Sequence, residues 1–188
     1  MRNAVIVTDV QNDFCDGGSL AVSGGVEVAR AISARLDEGG YDHAVATRDH
    51  HIEPGAHFAE HPDYVDTWPA HCRVGTPGAE LHPDLDTSRI EAIFDKGEYQ
   101  AAYSGFEGTS EGVALTAWLR ARGVEAVEIV GIATDHCVRA TALDAAAAGF
   151  ATTVRLDLTA GVARSTVDSA LAQMRAAGVT LVGAPVVR

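Results

Sequence analysis

The chain has 188 residues, 47% hydrophobic and 21% charged, with a formal net charge of −12. That balance excludes a disordered chain, the acidic surplus excludes the basic footprint of a nucleic-acid binder, and no apolar run nears the ~20 residues of a membrane-spanning helix. Three cysteines, Cys15, Cys72 and Cys137, form no CxxC pair and argue against a disulfide framework.

In chain order, residues 3–8 (NAVIVT) form a short β-branched run that reads as a buried strand. Its apolar stretch is too short for a signal peptide, so a cytoplasmic protein without membrane contact is expected. Residues 24–36 place Val28, Ala29, Ile32 and Leu36 at helical spacing, and Gly39-Gly40 ends the helix. A second strand is read at 43–48 and a third at 90–94. A helix over 111–122 carries Leu115, Trp118 and Leu119 on one face. A fourth strand at 126–132 leads into an Ala-rich helix over 135–148. A fifth strand at 151–156, a helix at 165–177 and a sixth strand at 179–182 complete the pattern. Alternating strands and helices predict an α/β fold, a parallel six-stranded sheet with helices on both faces, in a single domain over 1–188.

Residues 49–87 break the alternation, with five prolines and no clear periodicity. A loop of that length in a compact domain is expected to be functional. Seven of the eight histidines lie between His43 and His82. They are the obvious means of ordering the loop around a metal.

Ligands of open α/β sheets bind at the carboxyl ends of the strands. Asp9 follows the first strand, Asp49 the second, Asp95-Lys96 the third, and Ala133 to Cys137 the fourth. Lys96 is the only lysine beside 13 arginines, which hints that arginine could not replace it. Cys137 opens a helix, where the N-terminus favours a thiolate; a small buried apolar cysteine is the bland alternative. Its own N–H and that of Ala133 could hold an oxyanion. Asp9 would then be a general base, kept charged and oriented by Lys96. Asp49, His51, His57 and His71 offer one carboxylate and three imidazoles, a set that suits Fe, Mn or Zn better than Ca or Mg. Spacing alone leaves His50, His61 and His82 as alternatives. There is no GxGxxG after the first strand, no Walker loop and no GxSxG elbow, so no organic cofactor is expected.

Six stretches together carry a resemblance: DVQNDFCDGGSL (9–20), DHHIEPGAHF (49–58), DYVDTWPAHCRVGTPGAE (63–80), KGEYQAAYSGFEG (96–108), VGIATDHCVRATALDA (130–145) and LTAGV (158–162). The sequence resembles the nicotinamidases (pyrazinamidases) of the isochorismatase-like cysteine hydrolases over nearly its whole length. The resemblance implies a six-stranded parallel sheet with a long metal-binding loop after its second strand. It implies that Asp9, Lys96 and Cys137 are catalytic and that Asp49, His51, His57 and His71 hold one divalent metal, Zn, Fe or Mn. It places an oxyanion hole at Ala133 and Cys137, with a cis peptide between Ile132 and Ala133. Phe14, Leu20, Trp68, Tyr103, Ile132, Ala133 and His136 would bind the substrate. The implied reaction is hydrolysis of nicotinamide to nicotinate and ammonia, and of pyrazinamide to pyrazinoate, in a monomer or homo-oligomer. Another amidase or an isochorismatase-type hydrolase is the alternative. Cys15 and Cys72 are read as packing residues.

Overall fold

The computed structural model describes residues 1–188. In chain order the elements are β1 (Arg2–Thr8), α1 (Gly25–Glu38), β2 (His43–Asp49), β3 (Ala92–Lys96), β4 (Thr109–Ser110), β5 (Val113–Ala114), α2 (Leu115–Ala121), β6 (Val124–Ile132), α3 (Arg139–Ala147), β7 (Ala151–Ala160), α4 (Arg164–Ala176) and β8 (Thr180–Val182). They build one sheet in the order β5-β4-β3-β2-β1-β6-β7-β8.

The six expected strands are present and mutually parallel. The sheet has eight strands rather than six, because β4 and β5 add an antiparallel edge beside β3. Two-residue strands carry no periodicity, so nothing in the pattern revealed them. They also displace the start of the helix expected at 111. Glu111 and Gly112 turn the hairpin with φ of 49° and 78°, and α2 begins only at Leu115.

β1 shows why the centre is stable. Val5 and Val7 face one core and Ala4 and Ile6 the other, because side chains alternate along a strand. The first core takes Val28, Ile32 and Leu36 from α1; the second takes Leu115 and Leu119 from α2, Ala142 from α3 and Met174 from α4. The long loop covers the α1 side, contributing Cys72, Ala79 and Leu85 to the first core. Cys15 and Cys72 are buried and unpaired, as packing residues would be.

The loop is also held by its own backbone. His51 N–H donates to Cys72 C=O at 3.1 Å, Val74 N–H to His51 C=O at 2.9 Å, and Trp68 N–H to His57 C=O at 2.9 Å. At the sheet centre Gly131 has φ of 115°, and a Cβ there would strike the Thr8 backbone. Glycine thus lets β6 approach β1 closely.

Candidate active site

Four strand ends bring the chemistry together. Lys96 closes β3 opposite Asp49, the last residue of β2. Asp9 follows β1, its N–H donating to Thr47 C=O at 3.1 Å. The Lys96 ammonium donates to Asp9 Oδ2 at 2.8 Å, Asp49 Oδ1 at 2.5 Å and the Ala102 carbonyl at 3.2 Å, and lies 3.8 Å from Cys137 Sγ. Thr47 Oγ1 donates to Asp9 Oδ1 at 2.7 Å. The side chains of Asp9, Asp49, Lys96 and Cys137 are all buried.

Burial and the shared ammonium act against each other on all these groups. Burial opposes ionisation of Asp49, but the Lys96 charge and the neighbouring His51 and His71 hold its carboxyl well below the usual range. Burial also opposes the charge on Lys96, and the two carboxylates overcome it, holding the ammonium well above the ordinary value. Asp9 comes out raised, because burial and the Asp49 charge outweigh Lys96. The Cys137 thiol is likewise pushed well up, chiefly by burial, with Lys96 pulling down and the carboxylates adding to the rise. The expected lowering by a helix N-terminus is therefore corrected. Cys137 lies inside a π-turn over Thr134–Val138, ahead of α3, and its surroundings favour the neutral thiol.

This turn begins at Ala133, whose preceding peptide, Ile132–Ala133, is cis. The Ala133 carbonyl accepts from His136 N–H and Val138 N–H, each at 3.1 Å. Ala133 itself lines the cavity beside Cys137.

The three imidazoles converge beyond Asp49. His51 Nδ1 is bonded to the Gly97 carbonyl at 2.5 Å and His71 Nδ1 to the Pro69 carbonyl at 2.7 Å, which turns both Nε2 atoms inward. Gly97 has no Cβ to collide with the His51 ring. His51, His57 and His71 each offer a nitrogen within 4.8 Å of the others. Asp49 Oδ2 lies 3.3 Å from His51 Nε2 and 3.6 Å from His71 Nε2. His51 Nε2 and His57 Nδ1 are buried without a hydrogen-bond partner. Burial and the two neighbouring histidines push His57 down to about 4, leaving a neutral imidazole. Converging buried imidazole nitrogens, two of them without a hydrogen-bond partner, fit a divalent metal. His50 sits beside Asp95, His82 accepts from Asp84 N–H, and His61 is exposed; none joins the cluster.

Above the cluster lies a cavity of about 240 Å³. Phe14, Leu20, Trp68, Tyr103, Ile132, Ala133 and His136 all line it, together with Asp49, His57, His71 and Cys137. Trp68 Nε1 donates to Tyr103 Oη at 3.1 Å, and the indole meets His136 edge-on at 5.2 Å. Asp9 and Lys96 stand behind Cys137 rather than in the lining.

Sequence reasoning missed three residues that hold this site. Gln11, fully buried, donates from Nε2 to the Asp49 and Ala79 carbonyls, each at 2.8 Å, and accepts from Asp49 N–H at 2.9 Å. Asp13 accepts from Cys72 N–H at 2.7 Å, fixing the backbone next to His71. Asp135 accepts from Val162 and Ala163 N–H groups and from Thr166 Oγ1. The available signal for Gln11 was its place in the polar stretch that follows the first strand, two residues after Asp9. The lining residues Tyr64 and Val162 had no signal beyond lying in the quoted stretches.

Residues 3–185 match the family model described as the isochorismatase domain. The nicotinamidase/pyrazinamidase of Mycobacterium tuberculosis is 61% identical over 95% of this chain and 97% of that protein. The nicotinamidase of Escherichia coli is 37% identical over 95% of this chain and 93% of its own length. PnC1 from L. infantum, solved with nicotinate, superposes with a TM-score of 0.87 at 36% identity, covering 100% of this chain and 96% of that one. The pyrazinamidase of Pyrococcus horikoshii, solved with zinc, gives 0.82 at 38% identity, covering 97% and 99%.

Proposed function

From the premise that the chain belongs to the isochorismatase family, we infer that it is a nicotinamidase, an amidase that releases ammonia from nicotinamide and leaves nicotinate, and that it accepts pyrazinamide in the same way. One observation carries the mechanism. A single ammonium, Lys96, touches Asp9, Asp49 and Cys137 beneath an aromatic cavity.

Asp9, Lys96 and Cys137 are the catalytic residues of this reading. A flat aromatic amide fits between Phe14, Trp68 and Tyr103, with the carboxamide carbon over Cys137 and the ring nitrogen turned toward the histidines. Asp49, His51, His57 and His71 would hold a divalent Zn, Fe or Mn ion. Such an ion, when bound, supplies a Lewis-acid anchor for that nitrogen, directly or through its waters.

Asp9 takes the thiol proton as Cys137 sulfur attacks the carboxamide carbon. Burial favours the neutral thiol, which suits attack coupled to proton transfer onto Asp9. The C–S bond forms and the carbonyl oxygen becomes an oxyanion, received by the N–H groups of Ala133 and Cys137. Asp9 returns the proton to the amine nitrogen, the C–N bond breaks and ammonia leaves. Asp9 then takes a proton from water, whose oxygen attacks the thioester. The C–S bond breaks, Asp9 returns its proton to sulfur, and the nicotinic acid released loses its remaining proton to solvent as nicotinate. Lys96 keeps Asp9 oriented throughout and offsets the two carboxylates. His136, half-buried, stands edge-on to Trp68 beside the ring, and burial holds it below the ordinary imidazole value.

The test is ammonia and nicotinate release from nicotinamide, with Cys137→Ala alongside. The expected result is turnover in the wild type and none in Cys137→Ala, with equal metal content in both. An active Cys137→Ala protein would show that a metal-bound hydroxide does the chemistry. A wild type inactive with added Zn, Fe or Mn would direct attention to other carboxamides.

A further inference from the structure

Two large apolar side chains in the cavity lining are open to solvent: Tyr64 is 57% exposed and Val162 46%. Neither gains much from burial, yet each backbone is fixed by a carboxylate. Asp63 Oδ1 accepts from the N–H groups of Val65, Asp66 and Thr67, each at 2.9 Å, and from Thr67 Oγ1 at 3.0 Å. Tyr64 sits inside that turn with φ of 57°, its N–H donating to Thr67 C=O at 3.0 Å. A non-glycine residue adopts this left-handed conformation only where its surroundings impose it. Its ring meets Trp68 edge-on at 6.1 Å. Asp135, 4% exposed only, accepts from Val162 N–H at 3.0 Å, Ala163 N–H at 3.3 Å and Thr166 Oγ1 at 2.5 Å. Two separate loops are thus built to bring an apolar group to the opening of the same cavity.

The chemistry of the ring says what that opening receives. Under the functional reading above, on which this inference rests, both polar anchors of the substrate are deep. Cys137 and the three histidines are buried. The ring nitrogen and the carboxamide are meta to one another, so the atom facing away from both is ring carbon 5. We propose that Tyr64 and Val162 form an outer apolar subsite for a small apolar substituent on carbon 5 of a pyridine-3-carboxamide, with Asp63 and Asp135 as the residues that position them.

The experiment is steady-state kinetics of the metal-loaded enzyme with nicotinamide and 5-methylnicotinamide. The variants are Tyr64→Ala, Val162→Ala, Asp63→Ala and Thr166→Val, with Val65→Ala as a control on an exposed residue outside the lining. Losing contact with one methyl group is worth about a three- to tenfold change in discrimination. The ratio of kcat/KM for the methylated amide to that for nicotinamide should fall by this factor in Tyr64→Ala and Val162→Ala. The fall should reside in KM and not in kcat. Asp63→Ala and Thr166→Val should lower the ratio in the same direction, while Val65→Ala leaves it within twofold. Thr166→Val removes one of three bonds to Asp135, so it keeps the test open if stronger changes there prevent folding. A ratio unchanged in both Tyr64→Ala and Val162→Ala would overturn the subsite. So would a wild type that rejects the methylated amide while Tyr64→Ala accepts it, since Tyr64 would then close the opening. Failure of the wild type on nicotinamide itself would overturn the functional reading, and this inference with it.

Discussion

Lys96 explains an oddity of composition. Among 14 basic residues it is the only lysine, and its surroundings require a compact ammonium with three donors. Two carboxylates, the Ala102 carbonyl and the Cys137 sulfur leave no room for a planar guanidinium. Lys96→Met should abolish turnover and lower the unfolding free energy by about 3–5 kcal/mol, because Asp9 and Asp49 are left buried without a cation; denaturant titration measures it. Lys96→Arg should fail to restore either property. Gln11 acts on Asp49 from the other side with three buried hydrogen bonds. Gln11→Leu should weaken metal binding about 10–100-fold while leaving Cys137 in place. Titration of the stripped protein with zinc reads that loss directly.

At the scale of elements, the turn over Thr134–Val138 sets where the Cys137 side chain lies relative to Ala133. An ordinary helix starting at 135 would rotate Cys137 relative to Ala133, whereas the π-turn lets the Ala133 carbonyl accept from Val138 N–H. The start of α1 offers a pH test. Gly24 cannot cap with a side chain, and Asp16 does so from eight residues earlier, accepting from Gly24 N–H at 3.3 Å and Val26 N–H at 3.1 Å. These bonds, that from Val26 foremost, lower the Asp16 pKa. A depressed folded-state pKa adds stability that is present above the unfolded value of about 3.9 and is lost as pH falls through the folded one. Asp16→Asn should therefore lower Tm at pH 6, and the difference from wild type should vanish in strong acid. A Tm difference that persists there would show that charge is not its cause.

For the whole molecule, the two faces of the sheet are covered by different means. α2, α3 and α4 pack on one face, while α1 shares the other with a long loop that carries the histidines. A bound metal would tie His51, His57 and His71 together and so stabilise that cover by mass action. Chelation of the metal-loaded protein should lower Tm and expose residues 52–70 to protease before the sheet is cut. Limited proteolysis followed by mass measurement would detect it. Equal cleavage with and without chelator would mean that backbone pairing alone, such as Trp68 N–H to His57 C=O, holds the loop.

The sequence determined the parallel six-stranded sheet by itself, since helices and buried strands leave periods that apolar residues must follow. It also placed Asp9, Asp49, Lys96 and Cys137 on one rim, because the ends of parallel strands share an edge. The motifs chose His51, His57 and His71 from among six candidates, where spacing could not. Only the tertiary structure decided what required distances between distant segments. It excluded His50, His61 and His82 from the cluster, put Asp9 and Lys96 behind the thiol, and enclosed Cys137 so that burial raises its pKa instead of a helix end lowering it. It added β4 and β5, too short to leave a period, and it revealed Gln11, Asp13 and Asp135 as supports. A hydrogen bond across 27 or 59 residues exists only once the chain has folded, so local pattern carries no trace of it.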